Sequence, residues 1–377
     1  MKTHLYLVSS QATPNITPAL DVAMRPERVI LLVSPDMRTR ADWLEQVLKA
    51  SAGIKVSRWE IEHPWNIEHI RDRVLDLLVQ HETENIMLNA TGGTKPMSIA
   101  AYEAFRALDK PIFYVHPEKD QVIWMHPEGQ PRQQLAQRIR IPHFIQAHGR
   151  RVTERGQVQV PPNYRDFAQE LIQNIQYFSG ALGVLNWYAN TAEHNLRSDV
   201  LDKQHQQFDA LTDLLDKLAQ LGILRQQDQR LIFSNESDRF FANGGWLEQY
   251  VFATVNSLKK HTPSIQDTAQ SLSVERDPGK IPNELDVVFL ADNRLHLIEC
   301  KAKNFKRGNS HSGAETLYKL DSLVDAIGGL QARAMLVSYK PLPEHDMQRA
   351  KDLRIKVLHG EQLQQLRTHL KQWIQPI

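Results

Sequence analysis

The stretch Asn85-Ile86-Met87-Leu88-Asn89-Ala90-Thr91-Gly92-Gly93-Thr94-Lys95-Pro96-Met97 decides the fold of the N-terminal part of the chain. The apolar run 86–88 gives way to a small polar loop with two adjacent glycines, and Pro96 then stands at a favoured first helical position. The pattern reads strand, tight turn, helix. Working outward, further short apolar runs predict strands over 5–8, 29–33, 54–59, 85–88, 112–115 and 122–125, with helices near 15–24, 38–50, 66–80 and 96–108. Ile67, Ile70, Val74, Leu77 and Leu78 recur at three- and four-residue spacing and make one apolar helical face. Strands alternating with helices imply βαβ units and a largely parallel sheet, which is a Rossmann-like α/β fold.

The same loop carries ligand chemistry. Glycines let backbone amides approach a phosphate, and a helix start offers free N–H groups with a partial positive charge. Thr91 and Thr94 add hydroxyls and Lys95 a point charge. Neither the GxxxxGK nor the GxGxxG spacing is present. The loop after the first strand, Ser9-Ser10-Gln11-Ala12-Thr13, is also small and polar. In a doubly wound sheet the first and fourth strands meet at the topological switch point. Ser9, Ser10, Gln11, Thr91, Gly92, Gly93, Thr94 and Lys95 are therefore expected to line one crevice. The plainer alternative is a tight turn whose threonine merely caps the helix.

Residues 126–165, rich in Pro, Gln, Arg and Gly, read as connecting strands and a linker, and 164–235 read as mainly helical. Leu211, Leu214, Leu215, Leu218 and Leu221 line one helical face before Gly222 stops it. Two short apolar pieces, 223–224 and 231–233, follow around a polar turn. A helix with a small hairpin resembles a winged-helix unit. Without a clearly basic recognition helix, a structural connector is the favoured reading over a DNA reader. The chain thus divides into 1–150, 151–238 and 239–377.

In the last block a helix is expected over 245–260, strands over 271–276, 285–290, 295–300 and 334–337, and helices near 313–327 and 360–375, an α/β domain on a partly antiparallel sheet. Its sharpest feature is Asn283-Glu284-Leu285-Asp286 followed by Glu299-Cys300-Lys301. Ala291-Asp292-Asn293-Arg294 between the two apolar runs is a hairpin turn. Folding about it sets Asp286 beside Glu299, and strand alternation puts Glu299 and Lys301 on one face with Cys300 on the other. Hard divalent cations favour one or two carboxylates plus water and phosphate oxygens. A neighbouring lysine orients water or offsets charge on phosphorus. Glu248 in the preceding helix is a further acid, and Lys303, Lys306 and Arg307 are placed to hold a phosphate backbone. A lone ExK would more often be a surface ion pair; an aspartate thirteen residues upstream, before a buried strand, favours catalysis. Cys300 reads as a core residue, because no His–Asn partner is apparent.

This constellation resembles the PD-(D/E)xK restriction-endonuclease-like superfamily. Asp286 matches its metal-binding aspartate, Glu299 and Lys301 its ExK half, and Glu248 its upstream helical acid, although Glu284-Leu285-Asp286 lacks the Pro-Asp pair. The resemblance makes Asp286, Glu299 and Lys301 catalytic and Glu248, Asp286 and Glu299 the ligands of Mg²⁺ or Mn²⁺. The N-terminal part, through its Asn89–Lys95 loop, resembles the CARF family of Rossmann-fold sensors of cyclic oligoadenylate. The whole chain is similar to the CARF-fused ancillary nucleases of type III CRISPR systems. That likeness implies a homodimer, cyclic tetra-adenylate on the dimer axis, and metal-dependent cleavage of DNA or RNA.

Bulk properties agree with such an enzyme. The chain has 377 residues, 41% of them hydrophobic and 24% charged, and a formal net charge of +1. The near-neutral charge argues against a nucleic-acid packaging protein. A single cysteine, Cys300, excludes a disulfide framework and a Cys-rich zinc site. With no signal-peptide pattern at residues 1–10 and no apolar run of about 18 residues, a cytoplasmic protein without membrane contact is expected. Two other functions compete. A ligand-dependent transcriptional regulator would bind DNA through 164–235, but has no use for Asp286, Glu299 and Lys301 together. A ring nuclease would degrade its own ligand, and no obvious base in the first domain points to one.

Overall fold

In the computed structural model, which describes residues 1–136, 139–156, 159–276, 282–302 and 313–375, the N-terminal runs form one sheet. Its strands are β1 (Lys2–Leu7), β2 (Arg28–Val33), β3 (Lys55–Glu60), β4 (Asn85–Asn89), β5 (Ile112–His116), β6 (Gln121–His126) and β7 (Gln133–Gln134), in the order β3-β2-β1-β4-β5-β6-β7. Strands β1 to β5 are parallel and β6 and β7 antiparallel. Helices α1 (Thr13–Leu20), α2 (Arg38–Ala52), α3 (Ile67–Gln80) and α4 (Lys95–Ala107) make the crossovers. The strand order reverses between β1 and β4, so the loops after them open into one crevice. Parallel strands covered on both faces must be apolar on both. Leu5, Leu7, Ile30, Leu32 and Leu88 accordingly pack with Val74, Met97 and Phe105, while Tyr6, Leu31 and Met87 pack with Leu44 and Val47.

The chain continues through α5 (Ile141–Ala147), β8 (Arg151–Glu154), α6 (Pro162–Gln173), α7 (Ile175–Thr191), α8 (Lys203–Gln206) and α9 (Asp209–Gln220). The hairpin β9 (Leu224–Gln227) and β10 (Arg230–Phe233) follows α9, as the pattern suggested. On α9 the leucines at 211, 214, 215 and 218 are buried, and the exposed face shows Asp209, Asp213 and Asp216. An acidic face repels a phosphate backbone, which favours a connector over a DNA reader for this helix. Its apolar face joins α6, α7 and one side of the C-terminal sheet in a common core.

That sheet runs β15-β14-β13-β12-β11-β8. It is built from β11 (Ile265–Glu275), β12 (Asn283–Ala291), β13 (Arg294–Lys301), β14 (Arg333–Ser338) and β15 (Lys356–His359), and is flanked by α10 (Glu236–Phe240), α11 (Trp246–Lys259), α12 (Gly313–Gly328), α13 (Glu344–Asp352) and α14 (Leu366–Ile374). Strands β8, β11, β12 and β13 are antiparallel, and β13, β14 and β15 parallel.

Several expectations are corrected. Within the stretch expected to hold connecting strands and a linker, β8 pairs not with a neighbour but with β11 of the C-terminal sheet, helped by an Arg151–Glu275 ion pair and a Thr153 hydroxyl donating to Ser273 O at 3.2 Å. Four mostly polar residues show no readable alternation. Strand β11 starts six residues before its expected start at 271. The helix expected over 360–375 opens as a 3-10 turn, Gly360–Gln365, and becomes α-helical only at Leu366. Helix α13 and strand β15 were not foreseen.

The N- and C-terminal domains share apolar packing. Phe144 and Ile145 of α5 belong to a cluster that runs from Tyr6, Val29 and Leu44 to Leu272, Leu290, Leu295 and Ile327. The Ile141 N–H donates to Asp267 Oδ2 at 2.9 Å, tying α5 to β11. Among the described residues no helix is long and apolar enough to cross a membrane.

Candidate active site and ligand pocket

The turn between β12 and β13 is a two-residue one. Ala291 pairs with Arg294, and Asp292 and Asn293 have φ of 50° and 54°. Left-handed values at both positions are the type I′ geometry, whose twist matches that of the flanking strands. The register then brings Val287 opposite Ile298. At that point the ladder stops and a side chain takes over, with the Cys300 N–H donating to Asp286 Oδ2 at 2.7 Å. The strands part where the acids begin.

Asp286, Glu299 and Lys301 are brought together as the sequence predicted. The Lys301 Nζ to Glu299 Oε1 distance is 2.6 Å. Burial opposes the Lys301 charge, but the Glu299 and Asp286 carboxylates outweigh it and raise its pKa. Asp286 lies deep in the protein without being sealed from solvent; burial, then the Glu299 charge, push its pKa well above the carboxylate range. Glu248, in the first turn of α11, joins the cluster. Burial, followed by repulsion from Asp286, Glu284 and Glu299, lifts its pKa strongly, and its buried Oε2 has no hydrogen-bond partner among the described residues. Among the described residues no trio of His, Cys, Asp or Glu side chains forms a metal cage by itself. Cys300 is buried in the opposite core, where burial and the neighbouring acids hold its thiol protonated, as expected of a packing residue. Lys303, Lys306 and Arg307 lie outside the described residues.

The sequence did not reveal how the middle helices and β14 frame this cluster. Lys301 pairs with Ser338 at the end of β14, and Lys340 lies two residues beyond. A Cβ on Gly183 of α7 would come within 3.1 Å of Lys340 Nζ, and Asn186 of α7 donates to the carbonyl of Ala302. Gly244, with φ of 115°, leaves room for the Ala302 methyl, 2.5 Å from where a Cβ would stand. Polar atoms without partners among the described residues include Asn186 Oδ1, Asn243 Oδ1, Trp246 Nε1, Glu248 Oε2 and Tyr339 OH. The one available signal for Lys340 was its place just past a strand parallel to the ExK strand.

The β1 and β4 loops line a cavity of about 320 Å³ with Tyr114, Asp120 and Phe144. Ser9, Ser10, Gln11, Thr91 and Gly93 reach it; Gly92, Thr94 and Lys95 are not among its lining. Gly92 instead lets the loop press on β1, since a Cβ there would stand 2.1 Å from Leu7 O. Thr94 caps α4, accepting the Met97 N–H at 3.3 Å and donating to Pro64 O at 3.1 Å. Lys95 is exposed at the helix start. Thr91 Oγ1 accepts the Val115 N–H at 2.7 Å and donates to Asn89 Oδ1 at 2.6 Å, which locks the loop to β5.

Two family models match the chain: the Card1 CARF domain over residues 3–144 and the Card1-like endonuclease domain over 235–377. The crystal structure of protein VC1899 from Vibrio cholerae is 33% identical, covering 99% of this chain and 97% of that one, with a TM-score of 0.91. The chain belongs to the Card1 family. Its C-terminal part is accordingly an endonuclease domain, and the protein a nuclease. A second structure, Can2 from Sulfobacillus thermosulfidooxidans in complex with cyclic tetra-adenylate (cA4), is 27% identical over 100% of both chains, with a TM-score of 0.83. A type III CRISPR defence DNA nuclease activated by cyclic oligoadenylate is 19% identical over 90% of this chain and 46% of that one; its TM-score of 0.55 marks a shared fold. No curated protein sequence matches the chain.

Proposed function

We propose that this Card1-family protein is a divalent-metal-dependent nuclease of type III CRISPR defence, switched on by a cyclic oligoadenylate in the pocket between the β1 and β4 loops. One observation carries the catalytic half of the reading. Glu248, Asp286 and Glu299 crowd together with Lys301 as their neighbouring cation, and a buried Glu248 oxygen has no partner among the described residues. Carboxylates held against their own repulsion suit a cation, and Mg²⁺ or Mn²⁺ bind through one or two of them while keeping water and phosphate oxygens. Asp286 and Glu299, with Glu248 behind them, would hold the ion. When bound, it supplies positive charge to a phosphoryl oxygen and makes an attacking water more acidic.

The rest of the chemistry belongs to the chain. Lys301, kept protonated by Glu299 and Asp286, offers an ammonium to orient the attacking water or meet charge growing on the phosphate. The ligand half rests on the pocket at the switch point and on the full-length likeness to Can2, whose structure holds cA4. A ring with internal two-fold symmetry needs an isologous partner. The working form is therefore a homodimer, with exposed Lys95 and the Thr91–Gly93 loop turned toward its axis.

The test is to incubate the purified protein with plasmid DNA and with RNA, with and without cA4, in Mg²⁺, Mn²⁺ or EDTA. Cleavage should require both ligand and metal, and the substrate cut identifies the nucleic acid. Equal cleavage in EDTA removes the metal from the reading; equal cleavage without cA4 removes the switch.

A further inference from the structure

The pocket between the β1 and β4 loops is walled by two domains. Opposite Ser9, Ser10 and Thr91 stand Asn293 and Arg294, from the tip of the β12–β13 hairpin, and Gln331 beyond α12. Arg294 is 8% exposed. Its Nη2 donates to the carbonyl of Glu118 at 2.7 Å, and its Nε–H has no acceptor among the described residues. A buried guanidinium with a donor to spare, in a wall otherwise rich in hydroxyls and amides, suits an anion; phosphate oxygens match its planar fork. The carboxyl in the same wall, Asp120, is engaged by Asn293 Nδ2 at 3.0 Å, and burial pushes its pKa up to about 6.

The hairpin behind Arg294 is stiff. Its tip is pinned by Asn293, whose N–H donates to Gln266 Oε1 at 2.9 Å and whose Oδ1 accepts from Gln266 Nε2 at 2.7 Å. Its stems are apolar on both faces, with Val287, Phe289 and Ile298 in one core and Val288, Leu290 and Leu297 in the other. Close-packed cores on both sides leave such an element free to move only as a body. Five residues along β13 from Arg294 is Glu299, roughly 17 Å at about 3.3 Å per residue. The two catalytic stems and the pocket wall are one piece of structure.

We infer that the ligand pocket is composite, with Arg294 of the nuclease domain binding a phosphate of the cyclic oligonucleotide, and that the β12–β13 hairpin carries pocket occupancy directly to Asp286, Glu299 and Lys301. This rests on the pocket being the oligonucleotide site.

Hydrogen–deuterium exchange of the full-length protein with cA4 tests it. Peptides spanning 288–296 should exchange more slowly on ligand addition, together with those spanning 7–14 and 89–94. Slowing in the N-terminal peptides alone overturns the inference and leaves the nuclease reading intact; slowing in neither overturns the reading of the pocket itself. By calorimetry, Arg294→Gln should bind cA4 at least about tenfold more weakly, and Arg294→Lys, which keeps the charge but not the fork, should fall between. The activation curve for cleavage should move by the same factor. An Arg294→Gln titration that overlays wild type overturns the inference. Should that variant fail to fold, exchange in the wild type decides.

Discussion

At the residue scale, the acidic cluster predicts a clean separation of functions. Asp286→Asn, Glu299→Gln and Lys301→Ala each remove a charge from one end of the hairpin and leave the Ser9–Gln11 and Thr91–Gly93 loops untouched. Each should lower phosphodiester cleavage by about a hundredfold or more while cA4 affinity, read by calorimetry, stays within error. Near-wild-type cleavage by Asp286→Asn would sink the assignment. Buried histidines predict a second, independent effect. His296 is stacked on Phe289 with ring centroids 4.7 Å apart, and burial holds its pKa down to about 3; His4 is held equally low by burial and by Lys2. In the unfolded chain an imidazole takes its proton near 6.5. The neutral folded form is thus fully favoured above pH 6.5, and its advantage is lost as pH falls from there toward 3. The loss is about 1.4 kcal/mol per pH unit for each group. Between pH 7 and 5, urea unfolding should show wild type losing roughly 2 kcal/mol more than His296→Gln. Equal losses would show that this imidazole is not held neutral.

Elements set what the residues can reach. The β4–α4 turn combines two constraints that the sequence presented as one polar loop. Gly92 is the point of closest approach to β1, and Thr94 ends the loop by capping α4. Gly92→Ala forces a methyl onto the Leu7 carbonyl, which the backbone must yield to. A loss of about 1–3 kcal/mol in unfolding free energy is expected, together with weaker cA4 binding, because Thr91 and Gly93 move with the loop. Thr94→Ala should cost about 1 kcal/mol through the lost cap, with affinity changed far less. If Gly92→Ala is as stable as wild type, the loop does not press on β1. The β12–β13 hairpin is the second decisive element. Its type I′ turn sets the register, and the register decides that Asp286 faces the ExK strand.

For the whole molecule, the expectation is an assembly of two chains. Light scattering should give roughly 87 kDa, twice the 43.4 kDa of one chain. A monomer at micromolar concentration, with and without cA4, would count decisively against a shared pocket. Lys95 belongs to this scale because it is exposed and outside the single-chain cavity lining. Lys95→Ala should move the ligand titration of cleavage to higher cA4 concentration and leave the maximal rate intact. An unchanged curve would place Lys95 away from the ligand. A ligand shifts such an equilibrium only by binding one arrangement better than the other, and in the proposed reading contacts to both partners and to Arg294 would offer that difference.

Much of this was legible from the sequence. Buried parallel strands leave unbroken apolar runs, amphipathic helices leave three- and four-residue spacing, and tight turns demand Gly, Asn or Asp; each is a local constraint written within a few residues. The Rossmann-like sheet, the Asp292-Asn293 turn and the meeting of Asp286 with Glu299 and Lys301 follow from such signals. Tertiary structure alone decided the contacts made across long stretches of chain. Strand β8 joined the C-terminal sheet, Asn186 of α7 came to bond Ala302 just past the ExK strand, and Arg294 entered a pocket formed by residues some two hundred positions earlier. Four polar residues, or one arginine at a strand start, carry no periodic mark of their destination. Their places are set by the packing of two shared cores around the hairpin, and packing is a property of the folded chain as a whole.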